Sequence, residues 1–288
     1  MQIQKSFKEQ SPYGKLYLVA TPIGNMDDMS IRMVNTLKEV DVIAAEDTRN
    51  TGLLLKHFGI ETRQISFHEH NAQEKIPVLL DLLKSGQNLA QVSDAGLPSI
   101  SDPGHDLVKE AISEDIAVVT VPGPSAGISA LIASGLAPQP HIFYGFLPRK
   151  SGQQKEFFES KKSYPETQIF YESPHRVKAT LENMLEVYGD RPVVLVRELT
   201  KIYEEYQRGR ISELVGYLAE NALKGECLLI VAGASLEKED KADADLLAEI
   251  DSLVQSGSKK NQAIKEVAKK YGRNKSQLYA LYHEEDRN

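Results

Sequence analysis

Cysteine is almost absent from this chain: Cys227, in Leu-Leu-Ile-Val surroundings, is the only one in 288 residues. An internal disulfide and a cysteine-based metal cluster are therefore excluded, and a reducing compartment is the natural setting. Nowhere do about 18 apolar residues run together, the length that a membrane-spanning helix requires. The first residues, with Lys5, Lys8 and Glu9 among a few apolar neighbours, lack the apolar stretch of a secretory signal. A cytoplasmic protein with no membrane partner is expected. Three cofactor signatures are missing as well: no G-x-G-x-x-G dinucleotide loop, no G-x-x-x-x-G-K-[ST] phosphate loop and no H-E-x-x-H. His68 and His70 flank Glu69 without a clear third ligand, so no metal site is expected. Net positive charge is lacking too, and a formal charge of -7 argues against coating of nucleic acid by the whole surface.

What remains is a chain with 41% hydrophobic residues, enough for two ordinary domains and a small addition. The first half alternates short β-rich runs with helical patterns, as βαβ units around a parallel sheet do. Strands are expected at Leu16 to Ala20, Val42 to Ala45, Gln64 to Phe67, Leu89 to Val92 and Ala117 to Val121. Helices are expected at Ile31 to Glu39, Thr51 to Phe58, Ala72 to Ser85 and Pro103 to Ser113. Asn71 and Glu74 have capping-box spacing, whereas Pro77 predicts a late start or a bend. Asp102 before Pro103 reads as a cap followed by proline at the first helical position.

An α/β domain over 1–124 and a mixed α/β domain over 125–235 follow from this pattern. The second domain carries expected strands near Ile142, Gln168, Val193, Glu204 and Cys227, with helices between them. Residues 236–245 are charged and read as a linker. From 246 to 288 three short helical patterns suggest a helix-turn-helix-like module, with Ser258 and Asn274 as caps and Gly272 in the last turn. Between Gly257 and His283, Lys259, Lys260, Lys265, Lys269, Lys270, Arg273 and Lys275 stand against Glu266 alone. A basic module on an acidic body describes the chain better than its net charge does.

Glycine- and proline-rich loops follow the apolar runs: Thr21-Pro22-Ile23-Gly24-Asn25, Ser93 to Gly104, and Pro122-Gly123-Pro124-Ser125-Ala126. In an α/β protein such turns at strand ends bring backbone close to a ligand. Together with Ala44-Ala45-Glu46-Asp47-Thr48-Arg49, Tyr171-Glu172-Ser173-Pro174-His175-Arg176 and Arg197-Glu198-Leu199-Thr200-Lys201, these segments resemble the tetrapyrrole methylase superfamily. They are most similar to its ribosomal RNA branch, over about Gly14 to Ala232, and the basic tail is similar to an extension of that branch.

The resemblance implies two α/β domains clasping S-adenosylmethionine in the cleft between them, in a homodimer. It implies methyl transfer to the ribose 2'-hydroxyl of a cytidine in 16S ribosomal RNA, reached in the small ribosomal subunit. Asp94, Ala95, Gly96, Ser99 and Ile100 correspond to the loop at the methionine end of the donor. Ser125 and Ala126 correspond to a segment at its adenosine or methionine part, Pro22 to the active-site side of the first loop, and Tyr171 to the approach of the second domain.

A ribose hydroxyl must lose its proton to something. Glu46, Asp47, His68, His70 and Lys201 are candidate acceptors in that order, with capping or a local ion pair the competing reading for Glu46 and Asp47. Arg49 either pairs with one of these acids or holds an RNA phosphate through its planar fork. His175 and Arg176 suit a phosphate site or a dimer contact equally. Cys227 reads as buried filler. Tyr279 and Tyr282 lie on one helix face, read first as core and second as a base-stacking pair. The rival functions are methylation of a tetrapyrrole precursor, which the altered first loop disfavours, and non-enzymatic RNA binding, which leaves the loops unexplained.

Overall fold

The structure is a computed structural model that describes residues 1–5, 12–100, 102, 104–234, 242–271 and 273–285. The first sheet is wholly parallel and is built from β1 (Leu16–Val19), β2 (Val42–Ala45), β3 (Arg63–Ser66), β4 (Leu89–Val92) and β5 (Val118–Val121). Its order is β3-β2-β4-β1-β5. Helices α1 (Ile31–Glu39), α2 (Thr48–His57), α3 (Ala72–Lys84) and α4 (Gly104–Ser113) make the crossovers.

Residue parity along each strand decides which helices it meets. Ile43 and Ala45 of β2 pack with Met33 and Leu37 of α1 and Leu55 of α2. Val42 and Ala44 face the opposite way, onto Leu79 and Leu83 of α3 and Leu107 of α4. Both faces of β2 are therefore buried, which is why Val-Ile-Ala-Ala is continuously apolar. The chain steps outward from β1 to β2 and β3, then returns to place β4 between β2 and β1. Adjacent strands thus send their crossovers to opposite faces, and a crevice opens at their carboxyl ends.

The second sheet, order β6-β7-β10-β8-β9, is mixed. Only β6 (His141–Phe146) and β7 (Thr167–Glu172) run parallel; β8 (Pro192–Arg197), β9 (Glu205–Arg210) and β10 (Cys227–Val231) pair antiparallel with their neighbours. One face carries α6 (Ser151–Lys161), α7 (Val177–Tyr188) and α8 (Ile211–Glu220), through Phe158, Leu181, Leu214 and the inward residues Cys227, Leu229 and Val231. Burial pushes the Cys227 thiol up to about 11, so it behaves as an apolar filler. The other face, Ile169, Val194, Val196, Leu228 and Ile230, packs on Ala130 and Leu131 of α5 (Ala126–Ser134). Each fully buried Leu, Ile or Val adds roughly 1.5–3 kcal/mol.

Three expectations need correction. Helix α2 begins at Thr48, not Thr51, because the Asp47 side chain accepts from the Arg49 amide at 2.8 Å and caps it there. Helix α3 runs through Pro77, which removes only one backbone donor. Its expected capping box does not form: Asn71 turns back, accepting from the His68 amide at 2.9 Å and donating to the Ser66 carbonyl at 3.2 Å.

The last helices are a compact unit of their own. Helices α9 (Asp243–Gln255), α10 (Lys260–Tyr271) and α11 (Lys275–Glu285) enclose Leu246, Ile250, Ile264, Val267 and Leu278. The linker reading falls partly on 236–241, outside the described residues, as do Pro103 and Gly272; α9 starts at Asp243, inside the expected linker. Asn274 caps α11 by accepting from the Ser276 amide at 2.9 Å. Tyr282 is core at 7% exposure while Tyr279 is 41% exposed, so the two tyrosines do not act as a pair.

Candidate active site

Four loops meet at the carboxyl ends of the first sheet. The loop after β1 is tied to the loop after β4 by a bridge between Thr21 and Gly96, with reciprocal amide-to-carbonyl bonds of 2.9 and 3.1 Å. The Thr21 hydroxyl donates to the Ser93 carbonyl at 3.0 Å. From the loop after β2, Glu46 accepts from the Asp94 amide at 3.1 Å, and the Asn50 side chain donates to the Asp94 carboxylate at 3.3 Å. The loop after β5 closes over the same point: a Cβ on Gly96, whose φ is +78°, would lie 3.2 Å from Ile23 Cγ2 and 3.4 Å from the Pro124 carbonyl oxygen. The positive φ favours glycine there, and a side chain would have to push its neighbours aside by a few tenths of an ångström.

The loop after β4 is held from beneath. Asp102 accepts from the Ser99 amide at 2.8 Å, from the Gly104 amide at 2.9 Å and from the buried Gln91 side chain at 3.0 Å. Ser99 is thereby kept at φ +69°, a costly conformation for a residue with a side chain. Ile100 beside it is 63% exposed.

The second sheet contributes a loop of the same strained kind, with Glu198 at φ +52° and Thr200 at +66°. It lies against the first: a Cβ on Gly24 would sit 2.6 Å from Lys201 Cγ and 2.8 Å from Thr200 Oγ1. Thr200 Oγ1 is buried and has no hydrogen-bond partner among the described residues. Tyr171 on β7 comes from the same sheet, its ring 5.0 Å from Phe143, and burial raises its hydroxyl pKa against a hydrogen bond with the Gly127 amide. That amide lies in the first turn of α5, whose preceding Ser125 makes no side-chain cap.

The electrostatics are acidic. Burial pushes the Glu46 carboxyl up; the Asp94 amide opposes the shift, and the charges of Asp94, Asp102 and Asp47 reinforce it. No salt bridge engages Glu46, Asp94 or Asp102 among the described residues.

The comparisons with known proteins fit this geometry. The model of the Tetrapyrrole (Corrin/Porphyrin) Methylases matches residues 15–215. The chain belongs to the tetrapyrrole methylase family. The Ribosomal RNA small subunit methyltransferase I of Streptococcus pyogenes serotype M3 is 69% identical over 99% of this chain and 100% of its own length. The protein of that name from Bacillus subtilis (strain 168) is 46% identical over 97% of this chain and 98% of its own length. Among solved structures, diphthine synthase matches at a TM-score of 0.60 and 15% identity, over 76% of this chain and 90% of its own. Uroporphyrin-III-C-methyltransferase from Thermus thermophilus matches at 0.52 and 20%, over 76% and 94%. These two likenesses show the methylase fold.

Within this methylase, the expected site residues divide by what they touch. Pro22, Asp94, Ala95, Gly96 and Ser99 fall in the loops that converge, and Glu46 stands among them. Ser125 and Ala126 open α5 next to the Gly127 amide that Tyr171 reaches. Asp47 is occupied otherwise: besides capping α2 it takes both forks of Arg49, at 3.1 and 2.7 Å, and these bonds hold its carboxyl down to about 2. Lys201 is locked between Glu198 at 3.1 Å and Glu226 at 3.2 Å; burial opposes its charge, but the hydrogen bonds to the two carboxylates win and raise its pKa. An ammonium held charged in this way is a poor proton acceptor at neutral pH, and the structure places it in ion pairs with both carboxylates. His68 is hydrogen-bonded with Asn71 and lies 5.9 Å from His70 ring to ring. Among the described residues no three His, Cys, Asp or Glu side chains gather as a metal site.

Sequence reasoning missed Thr200, whose hydroxyl only the positive φ makes conspicuous. It also left Arg176 undecided between phosphate and dimer contacts. In the fold Arg176 pairs with the buried Glu172 at 3.3 Å and donates to the Pro148 carbonyl at 2.6 Å, which makes it a brace for the loop after β6.

Proposed function

We propose that this chain transfers a methyl group from S-adenosylmethionine to the ribose 2'-hydroxyl of a cytidine in 16S ribosomal RNA, in the cytoplasm and as a homodimer. The observation that carries this reading is identity of 69% along the full length of a protein named for methylating the small ribosomal subunit's RNA. The geometry supports it. A methyl sulfonium with an α-ammonium group is a cation, and Glu46, Asp94 and Asp102 put carboxylates that form no salt bridge among the described residues at the loops that would receive it. The absence of a Cβ at Gly96 lets the loops after β1 and β5 close against the loop after β4 at this point.

Pro22, Asp94, Ala95, Gly96, Ser99, Ile100, Ser125, Ala126 and Tyr171 would hold the donor. When bound, the donor supplies an electrophilic methyl group on an excellent leaving group, and the protein's task is to align and deprotonate the acceptor. Glu46 is the proton acceptor in this scheme: among the described residues it makes no ion pair, and a carboxyl with a raised pKa is a stronger base than an ordinary one. Arg49, with 88% of its side chain exposed, keeps guanidinium donors turned to solvent for an RNA phosphate while Asp47 fixes its orientation. Ile128 and Ile132, 44% and 75% exposed on the outer side of α5, suit contact with a second copy.

The test is to incubate the protein with labelled donor and small ribosomal subunits from cells lacking it, then map the label by mass spectrometry. A methylated cytidine ribose is expected. A methylated base overturns the 2'-hydroxyl assignment, and labelling of a porphyrinoid precursor instead overturns the RNA substrate.

A further inference from the structure

Phe146 occupies a place that strand alternation would not give it. Between Phe143 and Gly145 the register of β6 against β7 shifts by a residue, with Gly145 at φ +68°. The bulge pairs Phe143 with Ile169 and Phe146 with Tyr171, so both phenylalanines stand on the Tyr171 face, whereas regular alternation would turn Phe146 to the other side. There Phe146 is 69% exposed, its ring 5.4 Å from that of Tyr171. Tyr171 lies 5.0 Å from Phe143, and a Cβ on Gly127 in the first turn of α5 would lie 3.3 Å from that same Phe143, so Phe146 is linked through these rings to the helix that follows the turn after β5.

The segment that follows is basic and braced. Arg149 and Lys150 are exposed and take part in no ion pair among the described residues. Beneath them the Leu147 and Pro148 carbonyls are drawn inward, Pro148 by Arg176 at 2.6 Å and by Gln154 at 3.0 Å. Behind these lies a buried chain of hydrogen bonds: Asn183 to Gln154 at 2.8 Å, Gln154 to Thr180 at 3.3 Å and Thr180 to Glu172 at 2.8 Å. A polar network of this depth fixes a loop in one conformation.

We propose that Phe146, Arg149 and Lys150 form a platform for single-stranded RNA beside the donor loops, with a base stacked on Phe146 and successive phosphates on Arg149 and Lys150. An exposed aromatic next to unpaired cations is the arrangement by which proteins hold unpaired nucleotides. The platform rests on the proposed RNA substrate and adds the surface that would deliver the nucleotide to the donor.

The test measures binding of protein-free small-subunit ribosomal RNA, from cells lacking the methyltransferase, across 50–200 mM salt, with donor binding followed by calorimetry. Phe146→Ala is expected to weaken RNA binding roughly 5- to 150-fold, and Phe146→Trp to restore it. The Arg149→Gln, Lys150→Gln double variant is expected to lower the slope of log affinity against log salt by about 1.4, near 0.7 for each phosphate that is no longer neutralised. Donor binding by the double variant stays at the wild-type value. Wild-type affinity and slope in these variants overturn the platform while leaving the substrate reading intact. Unchanged RNA affinity with dissociation of a dimer assigns Phe146 to a contact between copies and also overturns it. A wild-type chain that binds no such RNA overturns the platform, while the substrate reading is decided separately by methylation of small ribosomal subunits.

Discussion

Replacing Glu46 with Gln separates chemistry from architecture at this site. Glutamine keeps an oxygen to accept the Asp94 amide, now bonded at 3.1 Å, so the loops after β2 and β4 stay joined. What it removes is a basic oxygen and one negative charge among Asp94, Asp102 and Asp47. Loss of a general base lowers kcat by about 10²- to 10⁴-fold, a barrier increase of roughly 2.7 to 5.5 kcal/mol. Stability moves the other way. The carboxyl's native pKa lies above its unfolded value, so the native state holds the proton more tightly, and this contribution is present at low pH and lost as pH rises through the native pKa. Glu46→Gln should therefore melt no lower than wild type at neutral pH, with a weaker decline above pH 4.5. The assay is single-turnover methyl transfer to unmethylated small subunits from pH 5 to 9, paired with thermal melts. In wild type the rate rises with pH through the Glu46 titration, and in the variant that limb is absent. A variant with wild-type kcat and an unchanged profile refutes the assignment of Glu46 as base.

Other expectations follow from the contacts around the cleft. Gly24→Val places carbon where Lys201 and Thr200 now lie, at 2.6 and 2.8 Å, and should reduce kcat/KM by about 10²-fold through displacement of the facing loops; undiminished turnover would show that their apposition is dispensable. Arg176→Ala strands a buried carboxylate on Glu172, whose side chain is only 1% exposed, and should lower the urea-derived stability by roughly 3 kcal/mol, a change below about 1 kcal/mol counting against the brace. Removal of residues 241–288, which include the separate helical unit, should leave donor binding by the remaining chain intact and weaken methylation of the small subunit; equal activity would take the unit out of RNA recognition.

Much of the fold was written in local pattern. The all-apolar β2 announces a strand buried on both faces, β4 does so with Gln91 as its one polar residue, and both carry the bounds their pattern suggests. Helix α1 does too, because Ser30 caps it by accepting from the Met33 amide at 3.1 Å. What pattern could not reveal was competition for polar side chains. Asp47 spells cap, base or ion pair equally well until the chain folds, and only tertiary placement shows it taking the cap and Arg49 at once. Asn71 had the spacing of a capping box but found better partners in the preceding turn. The bulge at Gly145 has no sequence mark beyond the glycine itself, so the outward turn of Phe146 could not be read. Lys201 shows the same limit: Glu226, one of its two partners, arrives from a distant strand end.

The decisive measurement is a calorimetric titration of S-adenosylmethionine into the folded wild-type chain and into Gly96→Val, whose added carbon would press on Ile23 and Pro124. One donor bound per wild-type chain, with binding abolished by the substitution, is the expected result. No heat of binding from a well-folded wild-type sample, or equal affinity in both proteins, would show that the loops at the ends of β1, β2, β4 and β5 do not hold the methyl donor.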